Sequence, residues 1–370
     1  MTHFLNDILR QPQELQAAIS SLCQDTRPLL EEAADSVRKA RHVYLTGIGS
    51  SWHAALNAAS LFYRSAFPIL TRDAAELLHF DSLREESVII IISRTGQSSE
   101  VVNLLPKARQ SRATIIGVTN SAQGPLAREA QIPIVVPVRL DHGISVNTYS
   151  TLSLAAGLLA SAVVGSFDET LVNSLARAIS EVAPVMAGWQ EQIAESSWLA
   201  LRSTYYFLAR SSSMGSCHEA RLLWEEGVKS PATALGTGAF RHGPQEVVTS
   251  NTRFGMWIDG QDMREQDLAV ARDLAQLGAS VMLIGQDLPE RSPELVFQLP
   301  RILPTWQFLI DIIPAQLAAE RLARLSGVDC DSFRLCPYIV ETESGLLPGR
   351  TSVPKDQQPL ELHDGRSTGS

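Results

Sequence analysis

The sequence has little of what disulfide-stabilised, metal-binding or nucleic-acid-binding proteins depend on. Only 4 of its 370 residues are cysteine, and they form neither a CxxC pair nor a spaced metal pattern. The net charge is −9, which disfavours nonspecific binding to nucleic acid or to anionic membranes. The longest apolar run, near residues 152–164, is too short to span a bilayer and predicts a buried helix. The acidic start lacks the basic region of a signal peptide, so we expect a cytoplasmic protein.

What the sequence does have is apolar strands that alternate with helices. Hydrophobic residues make up 45% of the chain, and its length favours about two domains. The strands are continuously apolar, which is typical of parallel sheets covered on both faces. They are predicted at 43–45, 88–92, 114–118 and 132–137, and again at 204–209, 255–258, 280–285 and 295–299. The order recurs after about 160 residues, which indicates a duplication.

The domain boundaries follow from this pattern. We expect an amphipathic helical segment over residues 1–35, a first α/β domain over 36–185 and a second over 195–335. A helix near 168–197 joins the two halves. Residues 336–370 form a C-terminal tail, and its polar, proline-containing part from Glu341 is expected to be loosely ordered or to pack on a partner.

Two loops rich in serine and threonine follow strands of the first half. Gly49-Ser50-Ser51 opens one helix, and residues 93–98 (Ser-Arg-Thr-Gly-Gln-Ser) open another. Helix N-termini present unpaired N–H groups, so neighbouring loops of this kind predict a phosphate site. The alternative is that these serines only cap their helices. A dinucleotide site is disfavoured, because Trp52 stands where the third glycine of G-x-G-x-x-G would be.

These loops resemble the phosphate loop of the sugar isomerase (SIS) domain family. In the second half, Glu219 and Glu226 followed by His242-Gly243-Pro244 resemble a segment of the isomerase half of glucosamine-6-phosphate synthase. The resemblance covers about residues 36–343 and implies two three-layer αβα SIS domains in tandem, with flavodoxin-like parallel sheets.

The resemblance also assigns roles to residues. The sugar-phosphate ligands it implies are Gly49, Ser50, Ser51, Ser93, Arg94, Thr95, Ser98 and Glu219. It implies that Glu226 moves a proton between C1 and C2, and that His242 assists ring opening from the neighbouring subunit. A homodimer is therefore expected, with a tetramer as the alternative. We expect no metal and no cofactor; His218-Glu219, for example, lacks the second histidine of H-E-x-x-H.

The spacing of the two glutamates agrees with these roles. Glu219 and Glu226 are seven residues apart and are predicted to share one helix face. A carboxylate near the end of a helix is destabilised by the helix dipole, which raises its pKa and suits a general base.

Several positions depart from the synthase pattern. The glutaminase domain of the synthase begins with a cysteine just after the initiator methionine, and here that residue is Thr2. Leu223 stands where the synthase has a lysine one turn before its catalytic glutamate. Tyr338 falls about where the tail lysine that forms a Schiff base would be. Ala239 and Arg241 replace a glutamate and a lysine beside the H-G-P histidine.

Loss of the tail lysine favours the fructosamine-6-phosphate deglycase branch of the family. The first hypothesis is therefore an isomerase, deaminase or deglycase that acts on a phosphorylated amino sugar or fructosamine. The second is a sugar-phosphate sensor that binds its ligand without turnover. No basic helix-turn-helix precedes residue 40, so direct binding to DNA is not expected.

Overall fold

The computed structural model describes residues 1–289, 295–343 and 345–346. Its described helices are α1 (His3–Cys23), α2 (Arg27–Lys39), α3 (Ser50–Arg64), α4 (Ala74–His79), α5 (Ser99–Gln110), α6 (Pro125–Glu129), α7 (Asn147–Val164), α8 (Glu169–Glu195), α9 (Met214–Leu223), α10 (Thr237–Phe240), α11 (Arg264–Gln276) and α12 (Ile313–Leu325). The strands are β1 (Val43–Thr46), β2 (Leu70–Thr71), β3 (Val88–Ser93), β4 (Thr114–Thr119), β5 (Ile132–Val135), β6 (Thr204–Ala209), β7 (Ala232–Gly236), β8 (Thr252–Trp257), β9 (Ser280–Gly285) and β10 (Leu295–Gln298).

The strands form two five-stranded parallel sheets. The first has the order β2-β1-β3-β4-β5 and the second β10-β9-β8-β6-β7. Read from its other end, the second sheet has the order β7-β6-β8-β9-β10, which matches the first strand for strand. This confirms the predicted repetition of one α/β unit. In both sheets the first and third strands of the unit are neighbours, and this is the switch point beyond which α/β proteins bind ligands.

Helices cover both faces of each sheet, as continuously apolar strands require. Beside the first sheet, α5 and α6 pack on one face, and α3 and α7 pack on the other. Beside the second, α11 packs on one face, and α9 and α12 lie on the other. One buried cluster runs through the inner helices of both halves, so the two sheets share a core.

The predicted buried helix is α7. By length and composition it could cross a membrane, but 89% of its 18-residue window is buried inside the protein. It packs against α1, α2 and α3, so its apolar character is explained by its place in the core. Helix α8 joins the two halves, as expected. The predicted domain boundaries stay predictions, and the tail beyond residue 346 lies outside the described residues.

Candidate functional site

Two helices begin at the switch point of the first sheet. β1 and β3 are adjacent, and α3 and α5 start just beyond their carboxyl ends on opposite faces of the sheet. Neither helix has a side-chain hydrogen bond at its N-cap. Gly49, the N-cap of α3, has a φ of +57°, a conformation that glycine adopts without strain. Neither N-terminus is therefore capped by a side chain, which favours an anion at this position.

A cavity of about 230 Å³ lies between these two N-termini. It is lined by nearly all of the residues predicted to bind phosphate, namely Gly49, Ser50, Ser51, Ser93, Arg94, Thr95 and Ser98. Glu226, the predicted base, lines the same cavity although it comes from the second half of the chain. The candidate site is therefore assembled across the two halves.

The hydrogen bonds of the serines do not support simple helix capping. Ser98 occupies the N-cap position of α5, but its side chain makes no capping bond. The Ser50 hydroxyl donates instead to Glu219 Oε1 at 3.0 Å. Ser93 Oγ accepts a bond from the backbone N–H of Gly96, and this bond stabilises the shape of the second loop.

Glu226 lies on a turn wider than that of an α-helix. The predicted single helix ends at Leu223, and a π-helical turn, Trp224–Val228, follows it. Such turns are rare and often mark functional sites. Burial raises the pKa of Glu226 to about 7, whereas Arg94 and Lys229 lower it. A carboxyl group with this pKa can both take up and release a proton near neutral pH.

Glu219 lies one layer behind the cavity wall. Its side chain is 1% exposed, and it is hydrogen bonded to Ser50 in front and to His53 Nδ1 at 2.6 Å. Burial raises the pKa of Glu219 to about 8 and lowers the pKa of His53 to about 3. Glu219 therefore reaches the cavity through Ser50, and direct contact with a ligand, which the resemblance implied, stays a prediction.

His242 is not part of this cavity. It is exposed in the turn that follows α10, and its backbone N–H donates to Ala239 O at 3.0 Å. The next residue, Gly243, has a φ of +122°, so the H-G-P turn requires glycine there. Within the described chain His242 is separate from Glu226, and its contribution to a neighbouring subunit stays a prediction.

The start of the C-terminal tail covers the cavity. Its residues there are Phe333, Cys336, Pro337, Tyr338, Ile339 and Val340. The Tyr338 ring lies 4.0 Å from the Arg94 guanidinium carbon, and the Tyr338 carbonyl accepts a bond from Arg94 Nη2 at 2.7 Å. The Val340 carbonyl accepts from the first N–H of α5, that of Ser99. This part of the tail is thus ordered on its own chain, and only the segment beyond it was expected to be loose.

The wall also includes Gly143 and Ser145, which the sequence analysis missed. They lie in a loop folded around Asp141, a carboxylate whose side chain is completely buried. Asp141 accepts bonds from the backbone N–H groups of residues 146–148 and from the side chains of Asn147 and Thr148. No local pattern indicated this role, because the groups that bond to Asp141 lie five to seven residues further along the chain.

We expect Asp141→Ala to reduce the free energy of unfolding by at least about 3 kcal/mol, because several buried donors lose their acceptor together. Urea unfolding followed by circular dichroism measures the change. Asp35→Ala is the control, since Asp35 forms an exposed ion pair with Arg38 and should change stability by less than about 0.5 kcal/mol. Equal effects of the two substitutions would contradict the role given to Asp141.

At the corresponding edge of the second sheet, polar side chains of the second half bond to one another. Arg210, just after β6, forms a 2.6 Å ion pair with the buried Asp267. Ser213 and Ser216 both donate to the buried Asp311, whose pKa is raised to about 6 by burial. Among the described residues, the helix ends that form the candidate phosphate site therefore belong to the first half.

Residues 36–162 match the model of the SIS domain. A glutamine–fructose-6-phosphate aminotransferase (isomerizing) from Pyrobaculum aerophilum is 24% identical over 357 residues, which cover 92% of this chain and 58% of that protein. The chain thus spans a little more than half the length of the curated relatives that it matches.

Solved structures share the fold. The C-terminal domain of glucosamine-fructose-6-phosphate aminotransferase from Francisella tularensis superposes with a TM-score of 0.77 at 18% identity, covering 89% of this chain and 97% of that one. Glucosamine-6-phosphate deaminase from Thermotoga maritima gives 0.72 at 23% identity, covering 92% and 99%. Residues 36–162 thus match the SIS domain, in a chain that resembles the isomerase part of the fructose-6-phosphate aminotransferases over most of its length.

Proposed function

We propose that this chain is a phosphosugar enzyme that uses Glu226 as the base of an aldose–ketose type reaction. The observation that carries the proposal is the cavity in which Glu226, with its raised pKa, faces the N-termini of α3 and α5, neither of which is capped by a side chain. A phosphate held at the N-termini would place the sugar carbons toward Glu226. We further propose that the second half is also a SIS domain, because its sheet has the same strand order.

The chemistry requires one base that serves two adjacent carbons. Removal of a proton from C1 or C2 gives an enediol or enolamine, and return of the proton to the other carbon completes the isomerisation. A carboxyl group that titrates near neutrality is suited to both steps. The phosphate, held by backbone N–H groups and hydroxyls, would supply the binding energy that orients these carbons.

The proposed substrate is a phosphorylated amino sugar or a fructosamine that already carries its nitrogen. Among the described residues that line the cavity there is no lysine, so the wall offers no amine for an imine with the sugar. Lys229, although near Glu226, donates its ammonium protons to the carbonyl groups of Glu226 and Ser332. Deglycase or deaminase chemistry needs no such amine, and one structural neighbour is a glucosamine-6-phosphate deaminase.

We expect glucosamine-6-phosphate and fructose-6-phosphate to raise the melting temperature of the protein, and unphosphorylated glucosamine and fructose to leave it unchanged. A ligand that binds only the folded state at 100 times its Kd adds about 2.7 kcal/mol to stability. Thermal shift identifies the binders, and release of ammonia or of a second sugar phosphate then measures turnover. If no sugar phosphate binds at millimolar concentration, the proposal is wrong.

A further inference from the structure

A buried pair of titratable side chains connects α3 with α9 directly behind the cavity. His53 Nδ1 lies 2.6 Å from Glu219 Oε2, and the Ser50 hydroxyl donates to the other carboxyl oxygen at 3.0 Å. His53 is 4% exposed and Glu219 is 1% exposed. Since Ser50 lines the cavity, any change in Glu219 reaches a bound phosphate through a single hydroxyl group.

The surroundings of this pair disfavour charge on either member. An isolated carboxylate at this depth is costly unless a cation is paired with it. Among the described residues, the hydrogen-bond partners of the Glu219 side chain are the Ser50 hydroxyl and the His53 ring. His53 is poorly placed to become that cation, because His218 stacks on it and Arg221 lies nearby.

The groups that bear on the pair come from several elements. They are His218 and Arg221 on α9, Glu225 and Glu226 on the π turn, Asp141 in the loop before α7, and Arg94 and Lys229 near Glu226. Asp141 opposes ionisation of Glu219, and Arg221 favours it. Burial is nevertheless the largest influence on both members.

We propose that Glu219 works as a neutral acid whose carboxyl proton is donated to His53 Nδ1, with His53 as a positioning residue. The pair fixes Ser50 and connects the first phosphate loop to the helix that leads to Glu226, without adding a second negative charge beside the ligand. The inference deepens the proposed function and depends on it for the identity of the ligand. The raised pKa of Glu219 and the lowered pKa of His53 agree with two neutral partners.

Glu219→Gln imitates the proposed state. The amide oxygen can accept from Ser50 while the amide nitrogen donates to His53 Nδ1, and glutamine cannot ionise. We expect this variant to bind fructose-6-phosphate within about threefold of the wild type near neutral pH. Wild-type binding should weaken as the pH rises through about 8, because an ionised Glu219 repels the phosphate, whereas the variant should lack this step. Ionisation of Glu226, with a pKa of about 7, affects both proteins alike.

Isothermal titration calorimetry with fructose-6-phosphate measures this profile between about pH 7 and about pH 9, above the second pKa of a phosphate monoester. If Glu219→Gln folds normally but no longer binds, the ionised form is the functional one and the proposal is overturned. His53→Leu keeps a side chain of apolar volume but removes the acceptor, and it should weaken binding roughly tenfold. His53→Asn returns an acceptor near the position of Nδ1 and should recover most of the lost affinity. If leucine is tolerated at this position but asparagine is not, His53 serves packing alone.

A second measurement needs no ligand. Glu219 has a folded-state pKa of about 8, above its ordinary 4.5, so the folded protein keeps a proton that the unfolded chain loses. The neutral Glu219 side chain contributes fully to the free energy of unfolding below about pH 4.5, and this contribution is lost as the pH rises through about 8. Relative to Glu219→Gln, the wild type should therefore lose stability across this range. If the stability of the wild type and of Glu219→Gln depends on pH in the same way, the proposal is overturned even if the sugar phosphate binds. If fructose-6-phosphate does not bind the wild type, that result counts against the proposed function alone.

Discussion

Glu226→Gln is expected to lower kcat on the amino-sugar phosphate by at least about 10³-fold while changing ligand affinity by less than about threefold. Glutamine has nearly the size of glutamate but cannot accept the C1 or C2 proton. In the proposed site the phosphate would be held at the other end of the cavity, by the N-termini of α3 and α5, so binding should survive. Turnover and calorimetry on the same sample measure both quantities.

The pH profile provides a further measurement on the wild type. Glu226 is ionised above its pKa of about 7, so kcat should rise as the pH increases through that value and then level off. Glu225→Gln is the matched control, because Glu225 forms an ion pair with Arg221 and does not line the cavity. If neither the wild type nor Glu226→Gln turns over any sugar phosphate although both bind it, the protein is a sensor and the enzymatic proposal is wrong.

Glu226→Gln also tests the contribution of His242. If each site combines Glu226 of one subunit with His242 of another, Glu226→Gln and His242→Ala should each be inactive alone. Mixed dimers of the two variants would contain one intact site, and an equal mixture should regain roughly a quarter of wild-type activity. A mixture that stays inactive while exchanging subunits would argue against a shared site.

Gly215→Ala is expected to reduce the free energy of unfolding by about 3 kcal/mol and to weaken sugar-phosphate binding. An added Cβ would lie 2.0 Å from Asn57 Oδ1 and 2.4 Å from the backbone oxygen of His53. The side chain of Asn57 can turn, but the backbone oxygen can move only with α3. The substitution therefore forces α3 away from α9, and Ser50 moves with it. Urea unfolding and calorimetry with fructose-6-phosphate measure the two effects.

Gly188→Ala is the matched control for this substitution. Gly188 lies in α8, and an added Cβ would have no neighbour within 4 Å. Alanine should therefore stabilise the protein by about 0.4–1 kcal/mol, because it restricts the unfolded chain and favours the helix. If Gly215→Ala proves as well tolerated as Gly188→Ala, the close packing of α3 on α9 does not determine the geometry of the site.

The sequence predicted the features that depend on local pattern. Continuous apolar strands followed by serine-rich turns predicted two loops that line one cavity, because the carboxyl ends of neighbouring parallel strands meet at one edge. The strands that it missed carry little such signal. β7, with the sequence Ala-Thr-Ala-Leu-Gly, has no large apolar residue except Leu235, and β2 is only two residues long.

Other features depend on contacts between distant parts of the chain. Glu219 and Glu226 were predicted on one helix face, but the π turn that begins at Trp224 changes the spacing between them. One side chain is therefore buried against His53, and the other reaches the cavity wall. The tail's position over Arg94 depends on a contact across 244 residues of sequence, which no local pattern indicates.

The shared core has a consequence for cooperativity. The cluster that runs through the inner helices contains side chains from both halves, including those of α3, α7, α9 and α12. A half of the chain on its own would expose this apolar surface to water, which opposes independent folding. The chain should therefore melt as one unit despite its two sheets. Because the cavity takes Ser50 from the first half and Glu226 from the second, the site should be lost in that same transition.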